Sequence, residues 1–437
     1  MKKLCLAAFV AMAMAGCTAD EPLSEQNGTG QNQVQPTSGS TLRTIDEAIE
    51  IANEAASLFE APTARSGRKV ATGRSAVQVL GSHMSRSGST TDTLLYIVNY
   101  ADAQGFAIIA APTSVSPLIG VTEQGEFVTF ETASNESFQF YLEAATNYVA
   151  SSSGITVPTI PFPSEDISYV LVNDTVQPRV AVQWGQGYPE GLYCPNKISG
   201  CVQTAMAQMY SYFELPKSMI YTYPERDKES QTIDWTELKR HHRSISTMAD
   251  WLIDFHLLEC PASQEAHNTL ARICRQLGHL NNASYQEQTG SNIRMARATT
   301  KKLLPSKRIS EIYTYKDPYE FFYSAKRGVT YMRGAYKNAD GEYEGHAWVC
   351  DGGIQNGTLR VITFNGSLPE GASRKYNDCQ LLTSLFHYNW GWNGNCNGYF
   401  KGDVFDTSKA EIYDNADGNT MQYDFRYNVE FFVIYND

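Results

Sequence analysis

Ser199-Gly200-Cys201-Val202-Gln203-Thr204-Ala205-Met206-Ala207-Gln208-Met209 is the stretch on which the reading of this chain turns. Val202, Ala205, Met206, Met209 and Phe213 recur at three- and four-residue steps, which predicts a helix with one buried face. Pro216 stops the pattern. Cys201 therefore stands at the helix start, beside amide donors that the helix leaves unpaired and at the positive end of its dipole. Such a setting favours a reactive thiolate. A small buried cysteine opening a core helix satisfies the same local pattern. The choice between packing residue and nucleophile falls to the rest of the chain.

A length of 437 residues predicts two or three domains, and an apolar content of 42% supplies a sizeable core. The net charge of -12 argues against nucleic acid as the main partner, which calls for a basic stripe. The cysteines are Cys5, Cys17, Cys194, Cys201, Cys260, Cys274, Cys350, Cys379 and Cys396. They include no CxxC pair, so no structural zinc site is expected. Disulfides remain open, because spacing alone does not choose a pairing.

Met1-Lys2-Lys3 followed by the apolar run Leu4 to Ala15 reads as a signal peptide over residues 1–16, too short for a membrane span. Met14-Ala15-Gly16-Cys17 resembles a bacterial lipobox, with Cys17 as the lipidated residue. The expectation is an exported outer-membrane lipoprotein, facing the periplasm or the cell surface, or released after processing. Residues 17–41 are polar and read as a disordered tether.

Residues 42–150 read as a small α+β domain. A helix is expected from Thr44 to Phe59, opened by a Thr44/Glu47 capping box. Strands follow at Leu94–Tyr100, Phe106–Ala110, Leu118–Val121 and Glu126–Phe130, then a helix at Ser137–Ala150. Ser151-Ser152-Ser153-Gly154 with Pro158, Pro161 and Pro163 marks a linker over 151–164, and a second domain takes 165–437. His241 and His242 fall in a charged helix and read as solvated, and His256, His267 and His279 have no partner at ligand spacing. His346 differs. It opens a short buried strand in Gly345-His346-Ala347-Trp348-Val349-Cys350-Asp351-Gly352, where Gly345 permits close approach to a cleft. Phe386-His387-Tyr388-Asn389-Trp390-Gly391-Trp392 reads as an aromatic strand ending in a turn. Its Asn389 and Trp390 are suited to orient and shield an imidazole.

These three stretches, in this order, resemble the streptopain family of cysteine peptidases, a papain-like group. Ser199 to Gln208 is similar to the family's run at the nucleophile, Gly345 to Gly352 to its Gly-His-Ala run, and Asn389 to Trp392 to its Asn-Trp-Gly-Trp run. Gln183-Trp184-Gly185-Gln186-Gly187 resembles the region before the nucleophile, and residues 42–150 resemble the family's inhibitory prodomain. The resemblance implies a papain-like α+β fold with a helical part and an antiparallel sheet part. It also implies a zymogen whose own prodomain is an intramolecular inhibitor, and which is cut in the 151–164 linker. The substrates implied are proteins or peptides, with no metal or organic cofactor. Cys201 is then the nucleophile and His346 the general acid and base. Asn389 and Trp390 orient the imidazole, by side chain or by backbone carbonyl. The Cys201 N–H and Gln186 are the oxyanion donors.

Two departures stand out. Arg333 occupies the place of a family glutamine in Tyr331-Met332-Arg333-Gly334, and Ile354 to Leu382 reads as an inserted surface loop. Two other functions fit the same residues: acyl transfer to an amine, and a catalytically inactive peptidase-like surface protein that binds or inhibits.

Overall fold

The structure is a computed structural model that describes residues 42–56, 77–80, 93–127, 136–152, 165–241, 262–285, 289–337, 343–364, 375–378, 382–405, 411–414, 420–423 and 429–437. Helix α1 (Ile45–Ala56) opens on the expected capping box. The Thr44 N–H donates to Glu47 Oε2 at 2.7 Å and the Glu47 N–H to Thr44 Oγ1 at 3.2 Å. Ala48, Ala52, Ala55 and Ala56 form its buried face, whose small side chains let it lie close on strands. These strands are β2 (Thr93–Asn99), β3 (Phe106–Ala110) and β4 (Leu118–Thr122), with β1 (Val77–Leu80) paired to β2. The strand expected at Glu126–Phe130 does not form at 126–127, and 128–130 lie outside the described residues. The reason is the buried Asn99 amide, which donates to Phe127 O at 2.8 Å and accepts from the Phe127 N–H at 2.9 Å. One side chain thus satisfies a backbone that would otherwise need a strand partner. Helix α2 (Glu136–Ser152) follows, close to its expected bounds.

After strand β5 (Glu165–Val176) comes α3 (Cys201–Phe213), the helix predicted from the opening stretch. It ends on the left-handed Glu214, two residues before Pro216. The ribbon β6 (Ser218–Met219) with β7 (Gln231–Thr232), α4 (Trp235–Leu238), α5 (Gln264–Leu280), and the ribbon β8 (Ser284–Tyr285) with β9 (Thr289–Gly290) lead to α6 (Ile293–Leu303). Then come β10 (Tyr313–Thr314), α7 (Pro318–Arg327), β11 (Gly328–Lys337), β12 (Tyr343–Phe364), β13 (Lys375–Asp378), β14 (Leu382–Asn389) and β15 (Gly398–Lys401). A separate ribbon, β16 (Glu411–Asp414) with β17 (Thr420–Tyr423), precedes β18 (Glu430–Tyr435).

One twelve-stranded sheet runs β1-β2-β3-β4-β15-β14-β12-β11-β18-β10, with β5 and β13 also on β12. Its seam is β4 on β15, with Gly120 opposite Phe400 and Thr122 opposite Gly398. One face carries α2 and α7, where Phe138, Phe140, Tyr141, Phe321 and Phe322 share a core with Trp348, Phe386, Tyr388, Trp390 and Phe400. The other face carries α1 at the β2–β4 end and α3, α5 and α6 at the β12–β18 end.

Two expectations are corrected. Ile354 to Leu382 is not simply a loop: β12 continues to Phe364, with β5 along one side and β14 then β13 along the other. Thr358, Val361, Ile362 and Thr363 give this run the β-branched character of a strand. His241 is not solvated. It is 2% exposed, with its Nε2 3.7 Å from Glu190 Oε1 and its ring 5.1 Å from that of His267. The Trp184 indole N–H fixes this segment by donating to His241 O at 2.6 Å. His267 belongs to the same buried group, while His242 and His256 lie outside the described residues.

Cys194, Cys201, Cys274, Cys350 and Cys396 are free thiols, and Cys260 and Cys379 lie outside the described residues. Among the described residues no helix is long and apolar enough to cross a membrane. The signal peptide, Cys17 and the tether also lie outside them.

Candidate active site

Gly200 precedes α3 with φ +89, a conformation open to glycine, and supplies no side-chain cap to the first-turn amides. Cys201 follows it, half-buried, at the positive end of a helix with ten other buried positions. The loop before the helix is tied back by the Ser199 N–H, which donates to Gln186 O at 2.9 Å. Thr204 Oγ1, one turn into α3, donates to Gly185 O at 3.0 Å. Gln186 is therefore held beside the first turn of α3.

His346 is half-buried on β12, in register with Gly334 of β11. Ala347 and Val349, on the opposite face of that strand, pack with Val202, Ala205 and Met206 of α3. This packing brings the helix that starts at Cys201 against the strand that carries His346.

Asn389, at the end of β14, is 1% exposed. Its Nδ2 donates to Val182 O at 2.8 Å, and its Oδ1 accepts from Gln208 Nε2 at 3.0 Å and from the Gly391 N–H at 3.3 Å. The same Gln208 Nε2 donates to Trp184 O at 2.8 Å. The amide is thus engaged by α3 and by the 182–184 segment. Trp390 is fully buried, with its indole N–H donating to Cys396 O at 3.0 Å and its ring 5.3 Å from Trp348 and 6.0 Å from Tyr141 of α2. Trp390 is a core residue that the N-terminal segment helps to cover.

Sequence reasoning placed Gln208 and Tyr331 inside motif stretches but gave neither a role. Gln208 lies seven residues, about two helical turns, beyond Cys201 and so on the same helix face. That spacing from Cys201 was the available signal, since Gln203, Thr204 and Ser211 are also polar residues of the same buried helix. Tyr331 is fully buried on β11, stacked on Phe432 at 4.9 Å. Burial pushes its phenol well above the usual value, and the charge of the nearby Cys201 adds to that. Arg333 is accounted for by a cross-strand partner: its Nη1 lies 3.5 Å from Glu430 Oε2 on β18.

The thiols differ sharply in setting. Burial pushes Cys194 up to about 11 and Cys396 up to about 12, and holds Cys274 and Cys350 well above the ordinary thiol value. Among these five, iodoacetamide at neutral pH is expected to label Cys201 first, read by peptide mass spectrometry.

Residues 184–400 match the Peptidase C10 family, and residues 32–149 match the Spi protease inhibitor family. The thiol protease/hemagglutinin PrtT of Porphyromonas gingivalis is 23% identical over 345 residues, 72% of this chain and 34% of that protein. The chain thus spans about a third of the length of that curated relative. A prointerpain A fragment from Prevotella intermedia has a TM-score of 0.50 and 20% identity, covering 80% of this chain and 98% of its own. The helices and antiparallel sheet are the papain-like α+β fold of that neighbour. With the peptidase match over the α3–β15 region and the inhibitor match ahead of it, the chain is streptopain-like: a Peptidase C10 segment preceded by a Spi-type inhibitor segment.

Proposed function

We propose that this chain is the zymogen of a cysteine endopeptidase. The observation that carries the reading is the meeting of three motif stretches on the first turns of α3: Gly185-Gln186, the Cys201 helix start, and the Asn389 turn. Cys201, as a thiolate, attacks the scissile carbonyl carbon, and the carbonyl π electrons move to oxygen. The Cys201 N–H and Gln186 donate to that oxyanion. The C–N bond then breaks as His346 gives its proton to the leaving amine. His346 next takes a proton from water, whose oxygen attacks the thioester and releases the acid and the thiolate. Asn389 and Trp390 orient His346 through the fixed turn they build, since the Asn389 amide is engaged by Val182 and Gln208.

The inhibitor segment, residues 42–150, acts from the α2 face. Phe140 stands 6.0 Å from Trp348, and the space over Gly334, the register partner of His346, is filled by the Phe140 ring. Cleavage within 151–164 frees the peptidase, residues 165–437. The test is hydrolysis of casein or a fluorogenic peptide by the chain before and after processing. Activity that resists a thiol alkylator overturns the peptidase reading. Equal activity before and after the cut overturns the zymogen reading.

Export as a lipoprotein is part of the same proposal. Cells fed a labelled fatty acid are expected to label the wild-type chain and not Cys17→Ala, and label retained by the variant overturns the anchor.

A further inference from the structure

Asp351 lies five residues beyond His346 on β12, where the pairing with β14 slips between Cys350 and Gly352. It is fully buried, and both carboxylate oxygens are engaged. Oδ1 lies 2.6 Å from His387 Nδ1, and Oδ2 accepts from the Arg179 N–H at 2.9 Å and the Val180 N–H at 2.6 Å. One carboxylate therefore joins three segments: the strand that bears His346, the strand that ends at Asn389, and the chain that leads through Val182 and Trp184 to Gln186. His387 and Asn389 share a face of β14, and the Asn389–Gln208–Val182 bonds tie the same region together a second time.

We propose that Asp351 and His387 are positioning residues for the peptidase reaction, a buried pair that fixes the β12–β14 register at the bulge and with it the placement of His346 against the Asn389-Trp390 turn. This role rests on the peptidase function proposed for the chain. A bulge leaves one residue without a strand partner, and a one-residue slip sends every side chain to the other face. A doubly engaged carboxylate at that residue opposes the slip.

The charged and titratable groups around the imidazole are Asp351 from β12, Glu123 just after β4, and Tyr399 from β15. Glu123 Oε1 lies 3.3 Å from His387 Nε2, and the Tyr399 ring lies 5.2 Å from the His387 ring. Burial by itself lowers the imidazole's pKa. The Asp351 charge and hydrogen bond, then Glu123, outweigh burial and raise it to about 10. The charged pair therefore contributes fully below about 6.5, the unfolded value, and its contribution is lost as pH rises through about 10. A limb of the activity profile near neutrality belongs to other groups.

The test compares wild type, Asp351→Asn, His387→Gln and His387→Ala in the full chain carried through its own processing. The readouts are thermal melting, kcat and KM on a peptide, and the pH profile of Cys201 alkylation, which reports the thiolate–imidazolium pair. Asp351→Asn is expected to lower kcat by about a hundredfold with KM little changed, the scale of a small misplacement of reacting groups, and to move the acid limb of alkylation upward. His387→Gln keeps a neutral donor for Asp351 and is expected to retain at least about tenfold more kcat than His387→Ala. A folded Asp351→Asn with wild-type kcat and alkylation profile overturns the proposal. Where Asp351→Asn does not fold, the two His387 variants decide, and equal kcat and equal profiles in them overturn it. A wild-type chain silent in both assays overturns the peptidase reading and this proposal with it, whereas an active wild type with indifferent variants overturns this proposal alone.

Discussion

Cys201→Ala is expected to reduce peptide hydrolysis by the processed chain at least about a thousandfold and to leave it folded. Both halves of this expectation come from the same place in the fold. Chemically, no other described thiol substitutes: Cys274 and Cys350 are fully buried and their burial holds them protonated. Structurally, Cys201 is half-buried at the first position of α3 while Val202, Ala205, Met206 and Met209 supply the packing. Alanine is the better helix former and loses little contact there, so the melting temperature is expected to stay within a few degrees of wild type. Rates measured on purified wild type and variant, with melting curves beside them, check both halves. Hydrolysis persisting in the folded variant overturns the assignment of the nucleophile.

Gly334→Ala is expected to weaken latency far more than it affects the processed enzyme. A Cβ on Gly334 falls within the Phe140 ring of α2, while its nearest neighbour on the peptidase side, Trp348 Cη2, is 3.1 Å away and need give only slightly. The clash thus belongs to the docked inhibitor segment. Overpacking of this kind costs about 1–3 kcal/mol. At about 1.4 kcal/mol per decade, that raises the undocked fraction by roughly 5- to 150-fold. The initial rate of Cys201 alkylation in the uncut chain reads that fraction. Phe140→Ala works in the same direction, since truncating a buried phenyl ring costs about 3–5 kcal/mol. In a Phe140→Ala background Gly334→Ala is expected to add little, because the ring it strikes is gone. Full additivity of the two changes overturns the contact as the source of latency.

Features written in neighbouring residues were legible in the sequence. The Thr44/Glu47 box, the three-and-four spacing along α3 and the apolar runs of β2 and β3 each depend on residues a few positions apart. The motif residues were legible through their order and type. What escaped depends on distant partners. Asn389 meets Gln208 across 181 positions and Asp351 meets Arg179 across 172, so neither bond leaves a local pattern. The β5–β12 pairing escaped because one half adjoins the linker and the other lies in the stretch read as an insertion. His241 escaped because a polar, charged neighbourhood in sequence says nothing of the Glu190 and His267 that enclose it in space.

On the proposed processing, the seam between β4 and β15 bears on how the released peptidase segment meets its own copies. While the inhibitor segment is in place, β15 is an interior strand, bonded to β14 on one side and β4 on the other. Departure of that segment turns β15 into an open edge, a row of unpaired amides and carbonyls that templates association with another strand. The edge is only four residues long and is bounded by Gly398 and Gly402, and a very short edge strand is one way natural sheets limit such pairing. The uncut chain keeps this edge closed, so under the proposed zymogen reading self-association of the peptidase segment becomes a matter of concentration only after the cut.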